Sequence, residues 1–199
     1  DHAMPLKNIG SLLPYHEHVD PAVVVSALNR MIDDASVGRT IFHDIYTNAQ
    51  KQAEPSRNDT GLFFLRGKPG APFAIIAPGG GFEYVASLHE GFPYAVEISN
   101  RGYNAFVLKY RAGQGGAAAT ADLAAAVSYI FQNAPTLQVS TKGYSLWGSS
   151  AGARMAAAIR TVDDDAMVFT EPFVLFNFGR TDTTISGFGA PRSGLSFHV

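Results

Sequence analysis

The chain has 199 residues, of which 46% are hydrophobic and 16% are charged, so it predicts a single folded domain over residues 1–199 and excludes intrinsic disorder. Its formal net charge of -2, with no block of like charge, argues against a nucleic-acid partner. The absence of cysteine excludes disulfides, thiolate-zinc sites and a cysteine nucleophile.

The sequence shows no targeting or membrane segment. No stretch approaches the roughly 18 apolar residues of a membrane span, so we expect no membrane association. The first ten residues, DHAMPLKNIG, lack a basic region followed by an apolar run, which predicts no signal peptide and a cytoplasmic location. These residues are also compatible with a cloning remnant.

Residues 1–70 predict a helix followed by edge strands. Residues 21–34 (PAVVVSALNRMIDD) start at a proline and carry apolar side chains at helical spacing, which predicts a short helix. Residues 41–47 and 62–65 are rich in β-branched and aromatic side chains, which is typical of strands. The polar stretch 50–61 predicts a turn, so the two strands are expected to form an antiparallel edge pair.

Residues 72–159 alternate apolar strands with helices. The predicted strands are 73–77, 105–110 and 144–147, and the predicted helices are 91–101, 119–133 (with Thr120 as the candidate N-cap) and 153–159. This alternation predicts the α/β class, with a mostly parallel central sheet, helices on both faces and the three strands adjacent or nearly adjacent. Residues 160–199 contain one candidate strand at 173–178 and weak periodicity otherwise, so we expect a shortened C-terminal segment.

The strongest chemical signal is GSSAG at residues 148–152, which fits the G-x-S-x-G pattern with Ser150 at its centre. In this pattern the serine occupies a sharp strand-to-helix turn, and the flanking glycines allow close approach of other segments. The following helix directs its first N–H groups toward a developing oxyanion. A serine-capped helix start would give the same letters, but the predicted strand before it and helix after it favour a nucleophile.

A second signal, PGGGF at residues 78–82, follows a predicted strand about seventy residues upstream of Ser150. An oxyanion hole needs a backbone N–H from a loop that turns tightly near the nucleophile, and three glycines permit such a turn. An ordinary glycine turn is the alternative. A phosphate site is less well supported, because there is no G-x-G-x-x-G and no lysine follows as in a P-loop.

Residues 60–111 and the stretch GYSLWGSSAGARMAAA at 143–158 together resemble bacterial α/β-hydrolases of the acetyl-esterase and acetylxylan-esterase-like group. The resemblance covers residues 15–159, about three quarters of the chain, and includes both motifs at the family spacing. It implies an α/β-hydrolase fold and serine-esterase chemistry on short acyl esters, often of acetylated sugars. No cofactor is implied.

The resemblance also implies roles for individual residues. Ser150 takes the place of the nucleophile, and the N–H groups of Ala151 and of Gly80 or Gly81 take the place of the oxyanion hole. The glycine loop is similar to the HGGG-type loop of lipases and esterases, with proline in the histidine position.

The C-terminal part departs from the family pattern, which runs in the order serine, acid, histidine. Only 47 residues follow Gly152, which is too few for the usual strands and helices. Asp182 is the best acid candidate, because FVLFNFGRTD resembles a strand that ends in G-x-x-D, and His198 is the one histidine after it. The 16 residues from Asp182 to His198 barely permit a helix. The competing acids, residues 163–165, are better explained as a solvated turn.

The remaining histidines all precede Ser150, contrary to the family order: His2, His16, His18, His43 and His89. The spacing of His16 and His18 suits metal binding on a strand, but two ligands without a third favour a polar surface, so no metal site is predicted. His89 and Glu90 are interpreted as structural or substrate-facing rather than catalytic.

Two functions remain open. The first is a serine carboxylic-ester hydrolase acting on a small-molecule ester through an acyl-enzyme on Ser150, with Asp182 and His198 completing the triad; a peptidase is a close variant. The second is a shortened, catalytically impaired hydrolase-fold protein that binds a ligand or partner. A missing strand would expose apolar surface, which homo-oligomerisation would cover.

Overall fold

The structure, a computed structural model, describes Pro5, Asn8 and residues 20–160. The helices are α1 (Pro21–Ser36), α2 (Asn48–Ala53), α3 (Phe92–Asn100), α4 (Gly115–Leu137) and α5 (Ala151–Arg160). The strands are β1 (Phe42–His43), β2 (Gly61–Leu65), β3 (Pro72–Ala77), β4 (Asn104–Lys109) and β5 (Ser140–Gly148). A 3₁₀ turn at Pro55–Asp59 and a π-helical turn at Ser87–Gly91 complete the described elements.

The described strands form one mixed sheet in the order β1-β2-β4-β3-β5. β3 pairs in parallel with β4 on one side and with β5 on the other, which confirms the predicted parallel core. β1 and β2 pair antiparallel at one end, as predicted, and β2 also runs antiparallel to β4. Because β3 and β5 are parallel neighbours, the segments that follow them emerge at the same edge of the sheet.

Helices cover both faces of the sheet, and the alternation of side chains along each strand explains why. Phe73 and Ile75 of β3 belong to a buried cluster that includes apolar residues of α4 and α5. Ala74 and Ile76 belong to a second cluster that includes residues of α1 and α3. Successive side chains of a strand point to opposite faces, so a strand buried on both sides is apolar throughout.

The segment before β2 differs from its prediction. The strand predicted over 41–47 is reduced to Phe42–His43, and the turn predicted over 50–61 is wrong, because α2 and the 3₁₀ turn occupy it. A capping box starts α2: the Thr47 hydroxyl accepts from the Gln50 N–H at 3.3 Å, and the Gln50 side chain accepts from the Thr47 N–H at 2.8 Å. Two orphan N–H groups are thereby satisfied, which allows a short polar helix.

The helix predicted from residue 119 begins earlier, at Gly115. Thr120 is therefore not its N-cap. The Thr120 hydroxyl lies inside α4 and donates to the Gly116 carbonyl oxygen one turn back, at 2.7 Å. A threonine inside a helix can bond back to the carbonyl oxygen four residues earlier, so the residue type alone does not mark the first turn.

The strand predicted at 173–178 and the rest of residues 161–199 lie outside the described residues. Among the residues that the structure describes, no helix combines the length and the hydropathy that crossing a membrane requires.

Candidate active site

Ser150 occupies the tight turn between β5 and α5. β5 ends at Gly148 and α5 begins at Ala151, so the turn is two residues long. Ser150 has a φ of 49°, in the left-handed region that non-glycine residues rarely adopt. Its side chain is exposed, whereas the neighbouring Ser149 is buried. The turn thus presents the hydroxyl of Ser150 to solvent at a local cost in backbone strain.

The two glycines of the GSSAG pattern are required by packing. A Cβ on Gly152 would overlap the backbone carbonyl of Ala77 at the end of β3. A Cβ on Gly148 would lie 2.5 Å from the carbonyl carbon of Gly152. Both contacts are with backbone, which cannot move aside as a flexible side chain can. The spacing of the motif therefore follows from the close approach of α5 to β3.

The PGGGF loop lies directly against this turn. A Cβ on Gly79 would stand 3.0 Å from the Cβ of Ser150 and 3.1 Å from the carbonyl oxygen of Ser149. Gly80 and Gly81 have φ values of 127° and 63°, which glycine adopts without strain. The two signals found about seventy residues apart in the sequence are thus in contact.

Tyr110 supports the loop from below. Its buried hydroxyl donates to the carbonyl oxygens of Gly79, at 2.8 Å, and of Tyr84, at 3.0 Å. Burial raises the pKa of Tyr110, and the negative charge of Glu90 raises it further, so the hydroxyl keeps its proton and remains a donor. One donor shared by two carbonyls ties the two ends of the loop together.

The N–H groups around Ser150 divide into two sets. The Gly79 N–H donates to Glu90 Oε2 at 2.6 Å and lies 3.2 Å from Ser149 Oγ. No oxygen within the described ranges accepts a hydrogen bond from the N–H groups of Gly80, Gly81 or Ala151. Those three groups are the ones that the sequence assigned to an oxyanion hole.

Phe82 and Arg154 lie at the rim of the site. Phe82 has a φ of 69°, and its carbonyl oxygen accepts from the Gly113 N–H at 2.6 Å. A Cβ on Gly116 would stand 3.2 Å from the Phe82 ring, so the ring rests on this glycine. The Arg154 guanidinium lies 5.6 Å from the ring centroid, one turn after Ser150 on α5. An aromatic ring and a cation therefore border the exposed serine.

Sequence reasoning did not foresee the role of Glu90 at this site. It comes from the π-helical turn Ser87–Gly91, and its Oε2 also accepts from the Ser149 hydroxyl. From the sequence, His89 and Glu90 in the stretch SLHEG are interpreted as structural or substrate-facing. Its one signal was a carboxylate between two apolar stretches, and nothing in the spacing indicates a π-helical turn.

The other candidate residues fall into two groups. Asp182, His198, the acids at 163–165 and the histidines at 2, 16 and 18 lie outside the described residues. His43 lies on β1, at the opposite end of the sheet from β5. His89 shares the π-helical turn with Glu90. In the described part of the chain, no three His, Asp or Glu side chains are grouped as metal ligands would be.

Comparisons with known proteins agree with this architecture. The sequence profile of the BD-FAE family matches residues 66–185, which is more than half of the chain. Endo-1,4-beta-xylanase B of Butyrivibrio fibrisolvens is 30% identical over 130 residues, covering 63% of this chain and 20% of that protein. The chain thus spans about a fifth of the length of this curated relative.

Two solved structures are similar to the chain over about half of their own length. The acetyl ester-xyloside bifunctional hydrolase from Caldicellulosiruptor lactoaceticus has a TM-score of 0.53 and 24% identity, covering 63% of this chain and 50% of its own. MGS-M1, an α/β hydrolase enzyme from a Medee basin deep-sea metagenome library, has a TM-score of 0.50 and 27% identity, covering 58% and 50%. These similarities confirm the predicted α/β-hydrolase fold.

Proposed function

Because the chain belongs to the BD-FAE family and has the α/β-hydrolase fold, we propose that it is a serine carboxylic-ester hydrolase with Ser150 as its nucleophile. The observation that supports this best is the contact between the strained turn at Ser150 and the glycine loop at Gly79. A strained, exposed serine suits attack on a carbonyl carbon when it lies beside a loop whose Gly80 and Gly81 N–H groups have no acceptor among the described residues.

In the proposed reaction, Ser150 Oγ attacks the acyl carbon while a histidine accepts the hydroxyl proton. The carbonyl electrons move onto oxygen, and the N–H groups of Ala151 and of Gly80 or Gly81 stabilise that oxyanion. The C–O bond to the alcohol then breaks, and the histidine returns its proton to the departing alcohol. A water molecule then attacks the acyl-enzyme by the same steps. The bond to Ser150 Oγ breaks, and the carboxylic acid is released.

We propose His198 as this histidine and Asp182 as the acid that orients it, following the family order. Both roles rest on order and residue type. Asp182 and His198 are 16 residues apart along the chain.

We propose short acyl esters, chiefly acetyl esters of sugars or xylo-oligosaccharides, as the substrates. Two similar proteins are named as a xylanase and as an acetyl ester-xyloside hydrolase. Phe82 and Tyr84, the latter 43% exposed, supply aromatic surface beside the glycine loop on which the apolar face of a sugar ring can rest.

The test is hydrolysis of p-nitrophenyl acetate and of acetylated xylo-oligosaccharides by the full chain. We expect Ser150→Ala to lower kcat by about 10⁴- to 10⁶-fold, because it removes the nucleophile. Alanine leaves a Cβ in the same turn, so the melting temperature should change little. Ser128→Ala, on the exposed face of α4, is the matched control and should retain full activity.

A fluorophosphonate probe distinguishes the enzyme from a ligand-binding relative. Labelling of the wild type that Ser150→Ala abolishes supports the enzyme, and an unlabelled, inactive wild type contradicts it. If His198 is the base, His198→Ala should match the loss in Ser150→Ala, because triad members act as a unit. An active enzyme that is indifferent to His198→Ala places the base elsewhere.

A further inference from the structure

Glu90 joins the two halves of the candidate site. Its Oε2 accepts from the Gly79 N–H at 2.6 Å and from the Ser149 hydroxyl. The same oxygen lies 2.7 Å from the position that a Cβ on Gly79 would occupy, and the Cβ of Ser150 lies 3.0 Å from that position. One carboxylate oxygen therefore holds the glycine loop on one side and the serine turn on the other.

The backbone of the π-helical turn that carries Glu90 is tightly packed. The Glu90 N–H donates to the Ala86 carbonyl oxygen at 2.9 Å within the π-helical turn. A Cβ on the next residue, Gly91, would lie 2.6 Å from Val107 Cγ1 of β4 and 3.3 Å from Pro78 Cγ. The turn is thus packed tightly against the sheet and the start of the loop. The backbone that carries Glu90 is therefore fixed relative to the loop.

The surroundings show that the Glu90 charge faces the base of the loop. Burial and then the charge of Glu90 raise the pKa of Tyr110, whose hydroxyl supports the Gly79 carbonyl oxygen. The same two causes raise the pKa of Tyr94 on α3. Gly79 is consequently held at both polar groups, its N–H by Glu90 and its carbonyl by Tyr110.

We propose that Glu90 is a positioning residue, which holds the Pro78–Gly79 peptide plane so that the N–H groups of the next two residues, Gly80 and Gly81, are directed toward the oxyanion. The proposal rests on the ester-hydrolase function proposed above. Hydrogen bonds to a charged acceptor are about twice as strong as those between neutral groups, which suits a device that must hold a glycine-rich loop. Because Glu90 takes the Gly79 N–H, the hole is built from the following residues.

Kinetics of Glu90→Ala and Glu90→Gln test the proposal. Glu90→Ala should lower kcat by about 10²- to 10³-fold, the cost of a lost oxyanion donor, while KM changes less than about threefold. Glu90→Gln keeps a carbonyl oxygen that can accept from both partners, so it should recover activity to within about tenfold of the wild type. Glu97→Ala, which removes an exposed carboxylate from α3, is the control.

Several kinetic results would overturn the proposal. An unchanged kcat in Glu90→Ala, or a lowered melting temperature without a change in kcat, would leave Glu90 with a purely structural role. An equal loss in Glu90→Gln and Glu90→Ala would mean that the charge itself takes part in the reaction.

Amide hydrogen exchange separates this proposal from the proposed function. In Glu90→Ala the amide of Gly79, which Glu90 accepts from in the wild type, should exchange roughly tenfold faster or more, and in Glu90→Gln it should stay close to the wild-type rate. If the wild type hydrolyses no ester, the enzyme proposal fails and the exchange rates still decide whether Glu90 holds the loop. Equal exchange rates in all three proteins would contradict the positioning role.

Discussion

Ser150 combines an exposed hydroxyl with a backbone conformation that disfavours any side chain. Its φ of 49° brings Cβ close to the following carbonyl oxygen, a cost of roughly 1–2 kcal/mol for a non-glycine residue. Nothing in the packing requires a side chain at this position, because the residue is exposed. The strain is therefore consistent with retention of the serine for its chemistry.

This strain predicts that Ser150→Gly is more stable than Ser150→Ala. Both variants lack the hydroxyl, but only glycine adopts the left-handed region freely, so the difference should be about 1 kcal/mol in the free energy of unfolding. Urea denaturation of the two variants measures it. Gly38→Ala, at a glycine with a φ of 77° and no atom within 4 Å of an added Cβ, is the reverse control and should lose a similar amount. Equal stability of the two Ser150 variants would show that the turn is not strained.

At the scale of elements, a buried ion pair anchors the end of β4 to α4. Asp122 is fully buried and accepts from the Arg111 backbone N–H at 2.8 Å and from Arg111 Nε at 3.0 Å. The Tyr46 hydroxyl donates to the same carboxylate at 2.7 Å, and Arg111 also pairs with Glu54. Arg111 directly follows Tyr110, so this network also holds the residue that supports the glycine loop.

Asp122→Ala should destabilise the fold by about 3–5 kcal/mol, because it leaves the guanidinium of Arg111 buried without its main partner. Chemical denaturation followed by circular dichroism measures the loss. The comparison is Arg101→Ala, which breaks the exposed pair between Glu97 and Arg101 and should cost less than about 1 kcal/mol. Losses of similar size in the two variants would contradict the view that burial makes the Asp122 pair different.

At the scale of the whole molecule, stability should depend on a histidine far from the site. His43 is partly buried on β1, with Nδ1 3.2 Å from the Tyr129 hydroxyl. Burial lowers the pKa of His43 below its ordinary value of 6.5, and the positive charge of Arg66 lowers it further, against a smaller opposing effect of the hydrogen bond that the imidazole donates to the backbone of Thr40. The imidazole of His43 therefore binds a proton less readily in the folded chain than in the unfolded chain.

The lowered pKa of His43 predicts a loss of stability on acidification. Between the unfolded pKa near 6.5 and the lower folded pKa, the unfolded chain binds more protons, so the free energy of unfolding falls as the pH falls. Above pH 6.5 this contribution is fully present. His43→Gln should show a shallower decline than the wild type in melting curves recorded from pH 8 to pH 5. Parallel curves for the two proteins would contradict the prediction.

The sequence alone was sufficient for the parallel core and for both chemical motifs. Strands buried on two faces must be apolar throughout, so the strands at residues 73–77 and 105–110 can be predicted from the sequence. The GSSAG and PGGGF patterns can be recognised in the sequence because each of their glycine positions requires glycine, either for a positive φ or for a close backbone contact. The pairing of β3 with β5, which brings the two motifs together, does not follow from chain order, because β4 lies between these strands in the sequence while β3 lies between β4 and β5 in the sheet.

Only the tertiary structure decided how these parts are held together. The bond that Glu90 accepts from the Gly79 N–H depends on a partner 11 residues away that shares no periodic pattern with it. The start of α2 and the place of Thr120 inside α4 depend instead on local partners at helical spacing, which the apolar pattern does not record. Apolar periodicity records which face of an element is buried, because burial acts on the whole element. A single polar side chain leaves no such pattern in the sequence, since its hydrogen bond depends on the distance and angle to one atom elsewhere in the fold.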